Sequence, residues 1–249
     1  MKKSLSQETL KIIACVTMLL DHLGAMCTPA IDLAFWQLVP VNGMVFISVK
    51  LYYVLRCIGR LAFPIYCFLL AEGAHYTKNP QKYALRLGLG VLLAELPFDC
   101  AFFGGFTWEH QSVMVTLLLG YGAILLMKQT DNILLKFSAV FPFAMAAEWL
   151  CTDYGGHGVA MMALFALTRE LPYARWLQLG GLLVINGMMN SATLEYLLGI
   201  PLSIQLLAVF AMVPIALYSG KKTTGSKYVQ WGFYLFYPVH MTLLALVLA

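Results

Sequence analysis

Most of the side chains in this sequence that could carry out chemistry lie inside long apolar runs. Asp21 and His22 interrupt a run that extends from Leu10 to Cys27. A charged group at such depth costs about 2.5–3.5 kcal/mol on insertion scales, so it persists where it is paired, faces water or reacts. A neutral imidazole accepts a proton from an amine or hydroxyl near neutral pH, which makes His22 a candidate general base. We expect the nearby Gly24 to leave room for a ligand.

Later apolar runs contain ionisable groups of both signs. Arg56 and Arg60 share a helix face at i,i+4, as do Glu95 and Asp99. The two arginines are therefore the expected partners of the carboxylates. Neighbouring helix positions point about 100° apart, so Asp21 is expected to orient a group other than the adjacent imidazole. The structural alternative for Asp21 is an ion pair with Arg60.

Several further polar residues have an expected role in helix geometry. Pro238 removes one helix hydrogen bond, and the resulting kink would aim His240 at the interior of a helical bundle. Asp153 precedes a glycine-rich turn and is predicted to be a helix N-cap. Asn186 and Asn190 fall on one helix face and are predicted to join helices by hydrogen bonds.

Composition defines the environment of these residues. Of 249 residues, 61% are hydrophobic and 11% are charged, and the mean hydropathy is +0.77. Soluble domains contain about 45–50% apolar and about 25% charged residues. Such a chain has too little polar surface to cover its apolar surface in water, so membrane lipid is the expected partner. The fold class predicted is all-α, a polytopic transmembrane helical bundle forming a single domain over 1–249.

Apolar runs and loop charges predict the topology. About nine spans are expected, at 10–27, 57–74, 87–103, 112–127, 133–151, 157–168, 174–190, 201–218 and 229–248. The intervening segments 104–111, 152–156 and 191–200 contain no Lys or Arg, which places them outside and the N-terminus in the cytoplasm. Because the Lys and Arg residues cluster in inner loops, the net charge of +4 predicts orientation and no nucleic-acid partner.

The stretch 34–55 is the exception to this topology. It is apolar enough to span, but counting it as a span would reverse every later loop and the charge pattern with it. It is therefore predicted to be an outer re-entrant or interfacial segment that leads into a long second helix.

Cysteine and histidine spacing predicts no metal site. The six cysteines include no C-x-x-C pair, and the five histidines form no His-x-x-His or His-x₃-His pair.

Segments distributed over nearly the whole chain resemble the TraX family. They include Leu20-Asp21-His22-Leu23-Gly24, Arg60 to Gly73, His75 to Asn79, Arg86-Leu87, Glu95-Leu96-Pro97-Phe98-Asp99, Thr116 to Gly120, Asp153-Tyr154-Gly155, Leu217 to Lys222 and Phe236-Tyr237-Pro238-Val239-His240. TraX proteins are associated with N-terminal acetylation of conjugative pilin. They are distantly similar to multi-span acyltransferases that take acetyl groups from cytoplasmic acetyl-CoA.

The resemblance implies an acetyltransferase in the bacterial cytoplasmic membrane. Acetyl-CoA would be the co-substrate, with no metal, and the acceptor would be a peptide, a glycan or a lipid-linked molecule. A histidine on an early helix is the catalytic candidate in the wider group, which matches His22.

Candidate roles follow for the ionisable residues. His22 would act as general base or would carry the acetyl group. Asp21, Glu95 or Asp99 would hold the imidazole or steer the acceptor. Arg60 would hold a carboxylate or polarise the thioester oxygen, and His240 is a second candidate. A set of cations in the inner loops could bind the phosphates of acetyl-CoA, although membrane topology alone also explains their positions. They are Lys78, Lys82, Arg86, Lys221, Lys222 and Lys227.

Two other classes of function remain open from the residues alone. Buried charges also suit a proton-coupled transporter or permease, and a non-catalytic assembly subunit would use them as ties between helices. Transfer to nitrogen or to oxygen, directly or through an acetyl-histidine, is equally open.

Overall fold

The computed structural model describes residues 4–26, 40–41, 44–45, 51–189, 203–220 and 227–248. Helices dominate this part of the chain, which confirms the all-α class. Extended pairing within it is limited to one short antiparallel ladder, β1 (Pro40–Val41) with β2 (Met44–Val45), and to isolated bridges. The helices, in chain order, are α1 (Gln7–Met26), α2 (Leu51–Gly59), α3 (Ala62–Tyr76), α4 (Pro80–Phe103), α5 (Val113–Met127), α6 (Ile133–Trp149), α7 (Gly155–Thr168), α8 (Ala174–Met188), a 3₁₀ helix (Ile204–Ala211), α9 (Met212–Ala216) and α10 (Lys227–Leu248).

Local signals account for several helix ends. Asn79 caps α4, because its side chain accepts a hydrogen bond from the backbone N–H of Lys82 at 2.9 Å and Pro80 occupies the first helical position. Gly104 ends the same helix in the left-handed region, with φ of 73°. Asn132 caps α6 by accepting from the backbone N–H of Leu134 at 2.9 Å.

The predicted spans and the observed helices differ in several places, of which the second and eighth spans are two. The second run is longer than expected: α2 begins at Leu51, and a turn at Arg60 and Leu61 separates it from α3. The run 201–218 begins as a 3₁₀ helix rather than an α-helix. Much of the stretch 34–55 lies outside the described residues, so its re-entrant path stays a prediction.

Two apolar helical stretches are long enough to cross a membrane within the described part of the chain. They are Gln7–Met26 and the stretch Leu51–Tyr76, which includes α2 and α3. Other helices expose large apolar side chains on their outer faces, among them Leu92 of α4, Trp149 of α6 and Leu246 of α10. Exposure of so many large apolar side chains to water would be energetically costly, so the chain is a membrane-associated protein.

Helix α3 lies at the centre of the core, and most of its side chains are buried. Helix α1 packs against it and against α2. At Gly24 a Cβ atom would lie 2.8 Å from the carbonyl oxygen of Tyr52 and 2.9 Å from Cβ of Leu55. The expectation that Gly24 leaves room for a ligand is therefore wrong, because the missing side chain permits the close approach of α1 and α2.

Candidate active site

A cavity of about 210 Å³ lies beside α1 and is walled by side chains of α3, α4, α5 and α10. It is bordered by Gln7 and Lys11 at one end of α1 and by Asp21 and His22 towards the other. The fifteen helical steps from Gln7 to His22 correspond to about 22 Å at 1.5 Å per residue. The cavity is thus an elongated passage along α1. Its other lining residues include Met18, Phe63, Tyr66, Leu69, Tyr83, Leu87, Met114, Asp153, Tyr154, Phe233, Tyr234 and Tyr237.

The two predicted histidines meet at this cavity. Nδ1 of His22 lies 2.7 Å from Nε2 of His240, and the two rings are nearly parallel, with centroids 5.0 Å apart. Nδ1 of His240 lies 2.6 Å from the carbonyl oxygen of Phe236. The rings of Phe102 and Tyr237 pack nearly perpendicular to the His22 ring. The expectation that His240 points into the bundle is confirmed, since it is 5% exposed.

Asp21 is held by the two arginines at the corner between α2 and α3. Its Oδ2 accepts a hydrogen bond from Nη1 of Arg56 at 2.6 Å, and its Oδ1 is ion-paired with Nη2 of Arg60. A Cβ atom at Gly59 would overlap the Asp21 side chain, so only glycine leaves space for the pair. The expected Asp21–Arg60 ion pair is confirmed, and Asp21 orients this corner rather than the imidazole of His22.

Arg60 also begins a buried polar chain that ties three helices together. Its Nη1 donates to Oε1 of Gln205 at 3.0 Å, and Nε2 of Gln205 donates to Oδ1 of Asn186 at 3.0 Å. The predicted role of Asn186 as a tie between helices is confirmed, whereas Asn190 lies outside the described residues. Sequence reasoning missed Gln205, although an amide inside an apolar run is itself a signal.

Glu95 and Asp99 are placed away from the cavity. The carboxylate of Glu95 accepts from the backbone N–H of Ser112 at 2.9 Å and from its hydroxyl at 2.8 Å. Asp99 is fully buried and accepts from the backbone N–H of Thr107 at 3.1 Å. Their shared face is directed at the connection between α4 and α5. The steering role predicted for them therefore has no geometric support, because neither residue lines the cavity with His22.

Asp153, in contrast to Glu95 and Asp99, lies at the cavity although the sequence predicted a structural role for it. The sequence context predicts a helix cap, but α7 begins at Gly155, behind a left-handed Tyr154 that provides no side-chain cap. Asp153 instead lines the cavity, and no described residue donates a hydrogen bond to its carboxylate. Burial raises the pKa of Asp153, opposed by the charge of Arg60, and burial raises the pKa of Tyr154 to about 12.

The cations proposed to bind acetyl-CoA lie at different distances from the cavity. Arg86 lies 5.5 Å from the centroid of Tyr83, a wall residue of the cavity, whereas Lys78 is exposed away from it. Lys221 and Lys222 lie outside the described residues. Lys11 borders the cavity directly, and sequence reasoning missed it. Its signal is the spacing of eleven residues to His22, three helical turns that return to the same face.

Fold and site together define a helical, membrane-associated protein with a buried histidine pair beside an elongated cavity. The family model described as TraX protein matches residues 6–248. The chain therefore belongs to the TraX family, as its sequence motifs indicated. It is 28% identical over 253 residues to the probable fimbrial assembly protein FimC, serogroup H1, of Dichelobacter nodosus, with 94% of this chain and 92% of that protein covered. No solved structure matches the chain.

Proposed function

We propose that this TraX-family protein is a membrane-embedded acetyltransferase that moves an acetyl group from cytoplasmic acetyl-CoA to an acceptor amine or hydroxyl. The observation that carries the proposal is a buried imidazole, His22, on a cavity that has a cation, Lys11, towards its other end. The acceptor best supported is the amino terminus of a pilin-like peptide. Pilin acetylation is associated with the family, and the relative from Dichelobacter nodosus is named as a fimbrial assembly protein.

The proposal places the chain as a multi-pass protein in the bacterial cytoplasmic membrane, with its N-terminus inside. Its support is the apolar composition, the absence of Lys and Arg from the segments 104–111 and 152–156, and the large apolar side chains on the outer faces of the helices. In this orientation the Lys11 end of the cavity faces the cytoplasm and the His22 end lies nearer the outer surface.

The passage suits an acyl thioester that enters from the cytoplasm. Lys11 and Arg86 would meet phosphate groups near the entrance, and the acetyl end would reach His22. His22 accepts a proton from the acceptor amine while the amine nitrogen attacks the thioester carbonyl carbon. The C–S bond then breaks, and the thiolate of CoA takes the proton from the imidazolium. In the covalent variant Nε2 of His22 attacks the thioester carbonyl first and the CoA thiolate leaves; the acetyl-imidazolium then passes its acetyl group to the amine, whose proton goes to the thiolate.

The surrounding residues would prepare this reaction. Apolar side chains such as Met18, Leu69 and Met114 line much of the cavity and would limit hydrolysis of the thioester by excluding water. Asp153 offers a carboxylate to an acceptor ammonium before that group loses its proton. Asp21 is not available as a base, because both of its oxygens are engaged by guanidinium groups.

Purified protein with labelled acetyl-CoA and a peptide bearing the amino terminus of the host's pilin tests the proposal. An acetylated peptide that disappears with His22→Ala, while that variant melts at the wild-type temperature, is the expected result. Unchanged activity in His22→Ala overturns the scheme.

The relative's name also favours a non-catalytic assembly subunit. That alternative predicts no product in this assay but retention of a pilus partner, and a transporter predicts flux into liposomes without acetylated product.

A further inference from the structure

Three groups form a short hydrogen-bonded series behind the cavity. The carbonyl oxygen of Phe236 lies 2.6 Å from Nδ1 of His240. The other nitrogen of that ring, Nε2, lies 2.7 Å from Nδ1 of His22. Both histidines are at least nine-tenths buried, so solvent does not compete for these contacts.

The direction of the series follows from its last member. A carbonyl oxygen only accepts, so Nδ1 of His240 carries a hydrogen and donates it to Phe236. In a neutral His240 the other nitrogen, Nε2, then has a lone pair and accepts. Nδ1 of His22 must supply that hydrogen, which leaves Nε2 of His22 without one. The hydrogen bond at one imidazole nitrogen decides what the other can do.

From this geometry we propose that His240 is a positioning residue that holds His22 in the Nδ1–H tautomer, with the lone pair of Nε2 available to substrate. The inference rests on the proposed acetyl transfer and assigns its reactive atom. No residue in the described part of the chain is a hydrogen-bond partner of Nε2 of His22, and His22 borders the cavity.

The same series suits each stage of the reaction. When Nε2 takes the proton of the attacking amine, His22 becomes a cation whose Nδ1–H bond to His240 strengthens. The proton then leaves from Nε2 to the sulfur of CoA as the C–S bond breaks. His240 does not transfer a proton in this scheme, because its own N–H donates to a backbone carbonyl oxygen.

Three substitutions of His240 separate positioning from packing. The amide oxygen of His240→Gln reaches the place of Nε2 and can accept from His22, whereas the shorter side chain of His240→Asn does not reach it. His240→Ala removes the group. We expect His240→Gln to keep kcat within about tenfold, and the other two variants to lose at least about 10²-fold, as for an imidazole in the wrong tautomer. KM for acetyl-CoA stays unchanged. Thr242→Ala, which removes an exposed side chain bonded to the Pro238 carbonyl on the same helix, is the matched control and keeps wild-type activity.

A spectroscopic readout does not depend on turnover. Protein labelled with ¹⁵N-histidine, with His22 assigned by its loss in His22→Ala, should show the Nδ1–H tautomer in wild type and His240→Gln. Loss of that signature is expected in His240→Ala. The Nε2–H tautomer in wild-type protein, or full activity of His240→Ala and His240→Asn, overturns the inference. Absence of transfer in the wild type would instead refute the proposed function, while the tautomer measurement would still decide the role of His240.

Discussion

Replacement of Asp21 by asparagine tests the most heavily charged part of the site. The substitution keeps the size of the side chain and removes its charge. It leaves Arg56 and Arg60 facing a neutral amide at the corner where α2 meets α3. The imidazole of His22, one residue later, stays in place. The two substitutions should therefore have different effects: Asp21→Asn should lower the stability of the fold, and His22→Ala should abolish the activity.

The magnitude follows from the exposure of the two arginine side chains. Arg60 is 9% exposed, and removal of one partner of a buried ion pair costs about 3–5 kcal/mol. Arg60 keeps its bonds to Gln205 and to the backbone of Arg56, so we expect the lower end, about 3 kcal/mol. Arg56 is 30% exposed, and its pair adds no more than about 1 kcal/mol because solvent screens it.

A double-mutant cycle on the detergent-solubilised protein measures the pair directly. Reversible unfolding gives the free energy of unfolding for the wild type, Asp21→Asn, Arg60→Gln and the double variant. We expect a coupling of at least about 2 kcal/mol, because the double variant leaves no buried Arg60 charge and only the more exposed Arg56 lacks its carboxylate. The matched cycle with Arg56→Gln should show a coupling below about 1 kcal/mol. Additive effects in the Arg60 cycle would refute the assignment of Asp21 to this buried pair.

Two further changes probe the same cavity. Gly59→Ala should unfold at a lower temperature than wild type, because its Cβ would overlap Asp21. The control Gly88→Ala, with no heavy atom within 4 Å of its Cβ, should be neutral or stabilising by up to about 1 kcal/mol. Thermal melting compares the two variants, and equal melting temperatures would contradict the close contact at Gly59. Lys11→Met keeps the alkyl chain but removes the charge, so KM for acetyl-CoA should rise about tenfold with kcat near wild type; steady-state kinetics measure this, and an unchanged KM would exclude Lys11 from the co-substrate path.

Composition and motifs are enough to define the environment of this chain and its family. An apolar surrounding is required, since 61% hydrophobic residues cannot be covered by 11% charged ones. The insertion penalty of a titratable group marks His22 and Asp21 as candidates, together with Arg60 and Glu95. Opposite charges in a medium of low dielectric must pair, which predicts Arg60 as a partner of Asp21. The motifs lead to the TraX family, whose model covers nearly the whole chain.

Composition and motifs do not reveal which helix faces meet. Glu95 and Asp99 share one helix face as predicted, but their carboxylates bond to the connection between α4 and α5, and neither residue lines the cavity with His22. Asp153 has the sequence context of a cap and lies instead on the cavity wall. Helical periodicity reports which side chains of one helix point together, and it contains no information about the neighbour they point toward. That choice is made by packing among many helices at once, and the contact between His22 and His240, 218 residues apart, exists only through it.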